Sequence, residues 1–238
     1  MASHFILIAG AWHGSWCWQR VAPLLEARGS RVTAPELPAM GDDNGDPRDV
    51  TLAAWGRFVA DIVSEAHDPV VLVGHSRAGV VISEAAELAP ERISRLVYLS
   101  AYLLPAGRTM AAEARADSDS LVAPNMIPSA SGVTCALRAD VVRDAFYGRC
   151  TDADAAWAMA QLRPEPLKPL VTSPRVTSTA FGRVPRAYIE CTADRAVTLA
   201  SQRRMQSALP CDPVFTIDSD HSPFISDPQA LAEVLGGL

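Results

Sequence analysis

Ser76 lies where a short apolar run ends and a helical pattern begins. The run Val70–Val73 is followed by Gly-His-Ser-Arg-Ala-Gly over residues 74–79, after which apolar residues recur at helical spacing. A serine at the apex of a strand, turn and helix presents its hydroxyl for nucleophilic attack. The pattern is Gly-x-Ser-x-Gly except at Ala78, where alanine adds one methyl group. An ordinary turn with a serine N-cap would have the same sequence pattern. A catalytic role for Ser76 therefore requires that the rest of the chain supply a base, an acid and an oxyanion hole.

His221 is the predicted base. Serine is a weak nucleophile until a base takes its proton, and histidine titrates in the right range. Of the five histidines, His221 directly follows the last predicted strand. That position lies at the carboxyl edge of the sheet, as Ser76 does, and open α/β sheets bind ligands at that edge. A histidine in a surface loop is the alternative interpretation.

Asp194 is the predicted acid that orients the His221 ring. It follows the predicted strand at residues 187–192 and therefore lies at the same sheet edge. Asp218 and Asp220 are nearer in sequence, but a neighbour on the same strand end would not readily reach round to the ring. A turn aspartate before a helix at Val197 is the alternative interpretation of Asp194.

Two backbone N–H groups are predicted to form the oxyanion hole. The residue after the nucleophile, Arg77, supplies one of them. The loop after the first strand, Ala9-Gly-Ala-Trp-His-Gly14, supplies the other, and we assign it to Ala11. Packing alone would also favour small residues in this loop.

Alternating strands and helices are expected to position these residues. Near-continuous apolar strands predict an α/β fold with a mostly parallel sheet covered by helices on both faces. Residues 1–101 and 181–238 are predicted to form this core, with residues 102–180 inserted as a helical cap. The cap contains no convincing strand in the sequence and has two helical candidates, at residues 137–147 and 151–162. The predicted core strands, besides that before Ser76, are at residues 4–9, 31–35, 95–100, 186–192 and 213–217.

Composition excludes several classes of function. The chain has 238 residues, 49% of them hydrophobic, with a net charge of −6, which argues against nucleic-acid binding. No apolar stretch approaches the length of a membrane span and no secretory signal is recognisable, so we expect a cytoplasmic protein. Five widely spaced cysteines indicate neither a zinc site nor a disulfide framework. No metal, nucleotide or dinucleotide motif is present, and no cofactor is expected.

With these positions fixed, nearly the whole chain resembles the plant methylesterase and hydroxynitrile lyase family of α/β-hydrolases, which includes the salicylate-binding methylesterases and bacterial esterase relatives. The resemblance implies an α/β-hydrolase fold, a triad of Ser76, Asp194 and His221, oxyanion donors at Ala11 and Arg77, and a cap that shapes the substrate pockets. The matching stretches are residues 4–18, 74–79, 162–167, 191–194 and 220–221.

The chain departs from the family at several positions. Lyases of the family tend to carry threonine in the oxyanion loop and lysine after the catalytic histidine, whereas this chain has Gly10 and Ser222. Ala9 and Arg77 replace a usual histidine and a usual apolar residue. The Arg77 guanidinium could pair with a carboxylate or phenolate of the substrate, extend to solvent, or pair with a carboxylate of the cap.

The resulting hypothesis is a cofactor-free serine esterase that acts through an acyl-enzyme on small to medium esters, such as methyl or aryl esters or lactones. Gly10, Trp12 and Ser222 are predicted to contact the substrate. Two alternatives stay open: a hydroxynitrile lyase-like carbon–carbon lyase, and a small-molecule receptor that keeps the hydrolase fold. A homodimer is possible, and no membrane partner is expected.

Overall fold

The computed structural model describes residues 3–238. Within these residues the strands are β1 (His4–Ile8), β2 (Arg31–Thr33), β3 (Val70–His75), β4 (Ile93–Leu99), β5 (Met126–Pro128), β6 (Thr134–Leu137), β7 (Glu165–Pro166), β8 (Arg186–Cys191) and β9 (Val214–Ile217). The α-helices are α1 (Ala22–Glu26), α2 (Leu52–Glu65), α3 (Ala78–Leu88), α4 (Met110–Ala116), α5 (Ala139–Phe146), α6 (Asp152–Gln161), α7 (Leu167–Leu170), α8 (Leu199–Ala208), α9 (Pro223–Ser226) and α10 (Pro228–Gly236).

Six strands form one parallel sheet in the order β2-β1-β3-β4-β8-β9. In the centre, Phe5 of β1 pairs with Val71 of β3, and Val73 of β3 pairs with Val97 of β4. Parallel strands end at the same edge of a sheet, so the loops after β1, β3, β4, β8 and β9 all lie at the carboxyl edge. The sheet therefore gathers residues that are far apart in the sequence.

Apolar strand residues explain why this sheet is buried on both faces. Every residue of β3 is buried, and residues 5–8 of β1 are at most 1% exposed. Side chains of consecutive strand residues point to opposite faces, so helices must cover both. Of those helices, α2 packs on α3, and α1 packs on α10. The predicted α/β class and the six core strands are confirmed, with ends that differ by one or two residues.

Helix starts follow the polar residues that the sequence places before them. The Thr51 hydroxyl accepts a hydrogen bond from Ala54 N, and the Thr151 hydroxyl accepts one from Asp154 N. Asp227 caps α10 in the same way, with Pro228 in the first turn. Each cap satisfies a backbone N–H that has no partner within the helix. Among residues 3–238, no helix is long and apolar enough to cross a lipid bilayer.

Residues 102–180 contain strands as well as helices, so the expectation of a stretch without strands was wrong. Strands β5, β6 and β7 form a three-stranded sheet in which both pairs are antiparallel. They have only three, four and two residues, and two of them contain proline. Such short strands contain too few residues for the alternation of apolar and polar side chains to be recognised in the sequence. Helices α5 and α6 lie within the two predicted helical ranges.

Candidate active site

Ser76 occupies a strained backbone position at the carboxyl end of β3. Its φ of +53° lies in the left-handed region, which costs a non-glycine residue about 1 kcal/mol or more. Hydrogen bonds on both sides hold it there. Ser76 N donates to the Leu99 carbonyl at 3.1 Å, and the Ser76 carbonyl accepts from Gly79 N at 3.1 Å and Tyr102 N at 3.0 Å. The turn projects the serine at the start of α3, as the sequence pattern predicts.

The glycine that this turn requires is at position 79. A Cβ on Gly79 would lie 2.4 Å from the Tyr102 carbonyl oxygen, so no larger residue fits without movement of the backbone. Ala78, by contrast, is fully buried in the first turn of α3, where its methyl group is accommodated. The departure from Gly-x-Ser-x-Gly therefore does not disturb the turn.

His221 and Asp194 are joined by a short hydrogen bond. His221 Nδ1 lies 2.6 Å from Asp194 Oδ2, and the two side chains are 2% and 0% exposed. The other oxygen, Oδ1, accepts from Ala196 N at 2.6 Å and Val197 N at 2.9 Å. Asp194 is thus a turn aspartate, and the same turn fixes the carboxylate beside the His221 imidazole.

The other two nearby acids are engaged elsewhere. Asp218 is 73% exposed and pairs with Arg149. Asp220 accepts from Ser222 N at 3.0 Å and from Arg149 N at 2.8 Å, so it fixes the backbone around His221 rather than its ring. Neither of them contacts the His221 ring through a hydrogen bond within residues 3–238.

Ser100 also binds Asp194, and the sequence did not indicate it. It follows β4 at the carboxyl edge, has a φ of +40°, and donates its hydroxyl to Asp194 Oδ2. Oδ2 therefore receives hydrogen bonds from both Ser100 and His221. The rule that strand ends share one edge could have identified Ser100, since it is the last residue of a predicted strand.

His75 holds the backbone of His221 beside the turn. Its Nε2 lies 2.9 Å from the His221 carbonyl, which can only accept, so Nε2 carries the proton. Burial lowers the pKa of His75 well below its ordinary value, and the ring is neutral. No hydrogen bond joins the Ser76 hydroxyl to the His221 ring within the described chain. Such contacts commonly tighten only when substrate binds.

The two predicted oxyanion donors are unpaired. Neither Ala11 N nor Arg77 N makes a hydrogen bond to another group of residues 3–238. Ala11 and Ser76 line the same cavity. The next residue, Trp12, has a φ of +62°, which turns the loop back over the carboxyl edge. Free N–H groups at this place are what an oxyanion hole requires.

The Arg77 side chain is fully buried and pairs with a carboxylate of the cap. Its Nε lies 2.9 Å from Glu165 Oε1, its Nη2 donates to the Gly10 carbonyl at 3.0 Å, and its Cζ lies 4.3 Å from the centre of the Trp55 ring. Burial lowers the pKa of Arg77, and Glu165 partly offsets that effect. Of the three alternatives for this guanidinium, the structure shows the pairing with a cap carboxylate. The guanidinium contacts neither solvent nor the cavity.

A cavity of about 290 Å³ opens at Ser76. Of the three predicted substrate contacts, Trp12 lines it. Gly10 does not, because it lies against the side chains of His75 and Ser76, and Ser222 does not, because it is buried as the N-cap of α9. Most of the wall is apolar and comes from the cap. The lining residues are Ala11, Trp12, Ser76, Tyr102, Met110, Ala111, Ala114, Arg115, Val122, Ala123, Met126, Phe146, Leu167, Leu170, Val171, Ala196 and Val197.

In the part of the chain that the structure describes, no three His, Cys, Asp or Glu side chains are grouped so that they could hold a metal ion.

A parallel sheet that presents a serine turn after β3, an aspartate after β8 and a histidine after β9 is the arrangement of an α/β-hydrolase. The family model described as the alpha/beta hydrolase family matches residues 5–234, and the chain belongs to this family. The fold and the family resemblance that the sequence indicated are thereby confirmed.

Several relatives and one solved structure are similar over almost the whole chain. An Arabidopsis thaliana protein named "Putative methylesterase 11, chloroplastic" is 29% identical over 98% of this chain, which spans 63% of the length of that relative. The pyrethroid hydrolase of Sphingobium wenxiniae is 32% identical over 97% of this chain and 85% of its own. The crystal structure of a pyrethroid hydrolase from Sphingobium faniae JZ-2 covers 100% of this chain and 97% of its own, with 30% identity and a TM-score of 0.87.

Proposed function

We propose that this protein is a serine esterase that hydrolyses carboxylic esters through an acyl-enzyme. The observation that carries the proposal is the buried His221–Asp194 hydrogen bond of 2.6 Å at the sheet edge where Ser76 stands in a left-handed turn. Relatives named as methylesterase and pyrethroid hydrolase support ester hydrolysis as the reaction class.

In the proposed mechanism, His221 takes the Ser76 proton while the serine oxygen attacks the ester carbonyl. Asp194 holds the ring so that Nε2 is the free base, and it stabilises the imidazolium that forms. The N–H groups of Ala11 and Arg77 stabilise the negative charge on the carbonyl oxygen. His221 then gives the proton to the leaving alcohol, and a water molecule, activated in the same way, releases the acid from Ser76.

The cavity supports apolar, small to medium esters as substrates. Its wall is formed largely by Met, Leu, Val, Ala and aromatic side chains, and its volume of about 290 Å³ suits a group of modest size. Tyr102 and Arg115 are the polar lining residues besides Ser76. We therefore propose methyl or aryl esters, or lactones, with an apolar acyl or alcohol part.

Gly10 argues against the lyase alternative. A Cβ at this position would lie 2.6 Å from Nδ1 of His75, so the threonine that lyases of the family tend to carry does not fit this loop. A receptor without turnover remains an outcome of the following experiment.

The test compares hydrolysis of p-nitrophenyl acetate by wild type, Ser76→Ala and Ser83→Ala. Ser83 is a buried serine of α3 that bonds Gly79 and Tyr98 and serves as the matched control. We expect Ser76→Ala to lower kcat by about 10⁴-fold or more and Ser83→Ala to retain most of the activity per folded molecule. Equal rates for wild type and Ser76→Ala would overturn the proposal, as would binding of ester without turnover.

A further inference from the structure

The Arg77 side chain fixes one of the proposed oxyanion donors. Ala11 N–H and the Gly10 carbonyl belong to one planar peptide group, so orienting the carbonyl orients the N–H. The Gly10 carbonyl accepts from Arg77 Nη2 at 3.0 Å. Arg77 thus serves both halves of the proposed hole, because its backbone N–H is the other donor.

Glu165 of the cap holds both Arg77 and the next peptide of the loop. Its Oε1 lies 2.9 Å from Arg77 Nε, and its Oε2 accepts from Trp12 N at 3.0 Å. The peptide groups on either side of the Ala11 Cα are therefore held by one buried pair, whose side chains are 1% and 0% exposed. Trp12 also binds the cap through its indole, which donates to the Cys135 carbonyl at 3.0 Å.

Stability alone does not explain this pair. Burying an ion pair costs the hydration of both charges, and their mutual attraction often does no more than offset that cost. Apolar residues of similar size commonly give the same stability or more. Within residues 3–238, Arg77 Nη1 has no hydrogen-bond partner, which adds to the cost. A charged donor on the Gly10 carbonyl does, however, polarise the peptide and strengthen the Ala11 N–H as a donor.

We propose that Glu165 is a positioning residue that completes the oxyanion hole from the cap. It fixes the Arg77 guanidinium, which orients the Gly10–Ala11 peptide, and it fixes the following peptide through Trp12 N. The inference rests on the proposed esterase function. It also means that this part of the cap stays attached to the loop while substrate is bound.

The test is the variant Glu165→Gln, assayed with p-nitrophenyl acetate and with a boronic acid that forms a tetrahedral adduct. Removing an oxyanion donor costs about 10² to 10³ in kcat, so loosening one is expected to cost about tenfold to a hundredfold. KM should change by less than about threefold, since the hole acts on the transition state. Affinity for the boronic acid should fall in proportion to kcat/KM, whereas affinity for the product acid should not.

Glu113→Gln is the matched control. Glu113 is a buried carboxylate of α4 that binds Arg204 of α8 and does not line the cavity. A double variant, Arg77→Met with Glu165→Met, separates positioning from folding. Because both buried charges are removed together, neither is left unpaired, and we expect the variant to fold and still to show the lowered kcat.

Four outcomes are decisive. Equal losses in Glu165→Gln and Glu113→Gln, or boronic acid affinity unchanged by Glu165→Gln, would overturn the role of Glu165 while leaving the esterase proposal intact. Full activity of the double variant would do the same. Absence of turnover by wild type would overturn the proposed function and this inference with it.

Discussion

A Cβ atom on Gly10 would lie 2.9 Å from the Cβ of Ser76. The loop after β1 therefore runs directly against the serine turn after β3. The contact leaves no room for a side chain at position 10, and the next residue, Ala11, lines the same cavity as Ser76.

Substitution of Gly10 should damage catalysis more than stability. In Gly10→Ala the loop must move away from His75 and Ser76, so we expect kcat/KM for p-nitrophenyl acetate to fall by about a hundredfold. Gly148→Ala is the control, because a Cβ there would meet only the Asp144 carbonyl, at 3.7 Å. Wild-type activity in Gly10→Ala would show that the loop does not form the oxyanion hole.

Asp194→Asn should lower kcat by about 10³ to 10⁴ with little change in KM. The amide cannot accept hydrogen bonds from both His221 Nδ1 and Ser100 as the carboxylate does. The His221 ring is then no longer held in the tautomer with a free Nε2, and its charged form is no longer stabilised. The matched control is Asp218→Asn, an exposed aspartate that pairs with Arg149. Similar rates for the two variants in steady-state assays would refute the assignment of Asp194 as the acid.

Trp12 should limit the length of the substrate. Its side chain lies between two cavities: it lines the cavity at Ser76 and also a second cavity of about 300 Å³. Trp12→Ala is expected to join the two and to raise the kcat/KM ratio of p-nitrophenyl decanoate to p-nitrophenyl acetate by about tenfold. The ratio is independent of the folded fraction, which the lost indole–Cys135 bond will reduce.

Met110→Ala provides the comparison for this prediction. Met110 lines only the cavity at Ser76, so its truncation widens that space without opening the second one. An equal change of the ester ratio in Met110→Ala would mean that pocket width, rather than access to the second cavity, sets the preference.

Stability should fall as the pH drops below about 6.5. Burial lowers the pKa of His13 to about 3, although its bond to the Ala11 carbonyl opposes the effect, and the pKa of His75 is also lowered. Between these values and 6.5 the unfolded chain binds more protons than the native one. The free energy of unfolding therefore decreases by about 1.4 kcal/mol per pH unit for each of the two histidines.

Urea unfolding at pH 7 and pH 5 measures this slope. His13→Gln should lower this slope by the contribution of one histidine, even though the variant is less stable than wild type at both pH values. His67→Gln removes a ring that is 87% exposed and serves as the surface control for the substitution itself. A slope in His13→Gln as steep as in wild type would contradict a neutral buried His13.

The sequence predicted the sheet, and it indicated the main candidate residues, because both depend on local patterns. Apolar strands, a small-residue turn around Ser76 and polar residues after β8 and β9 are each visible within a few residues. The parallel sheet then brings Asp194 and His221 together without further information, since all strand ends share one edge.

Contacts between distant segments were not predictable in this way. Nothing near Arg77 in the sequence shows that its charge is buried against Glu165, since the partner enters from a two-residue strand of the cap. The one available signal was that a charged residue stands in each of two otherwise uncharged places. One is the arginine in the serine turn, and the other is the glutamate between two prolines. For the same reason the sequence did not indicate that Gly10 and Ser222 lie outside the lining of the cavity at Ser76.

Covalent labelling of Ser76 tests the proposed nucleophile most directly. Diethyl p-nitrophenyl phosphate transfers its diethyl phosphoryl group to an activated serine oxygen and releases p-nitrophenolate. We predict one equivalent per chain, located by mass spectrometry on Ser76, with esterase activity lost in proportion to labelling. Complete inactivation with Ser76 unmodified, or undiminished activity with Ser76 fully labelled, would contradict the triad.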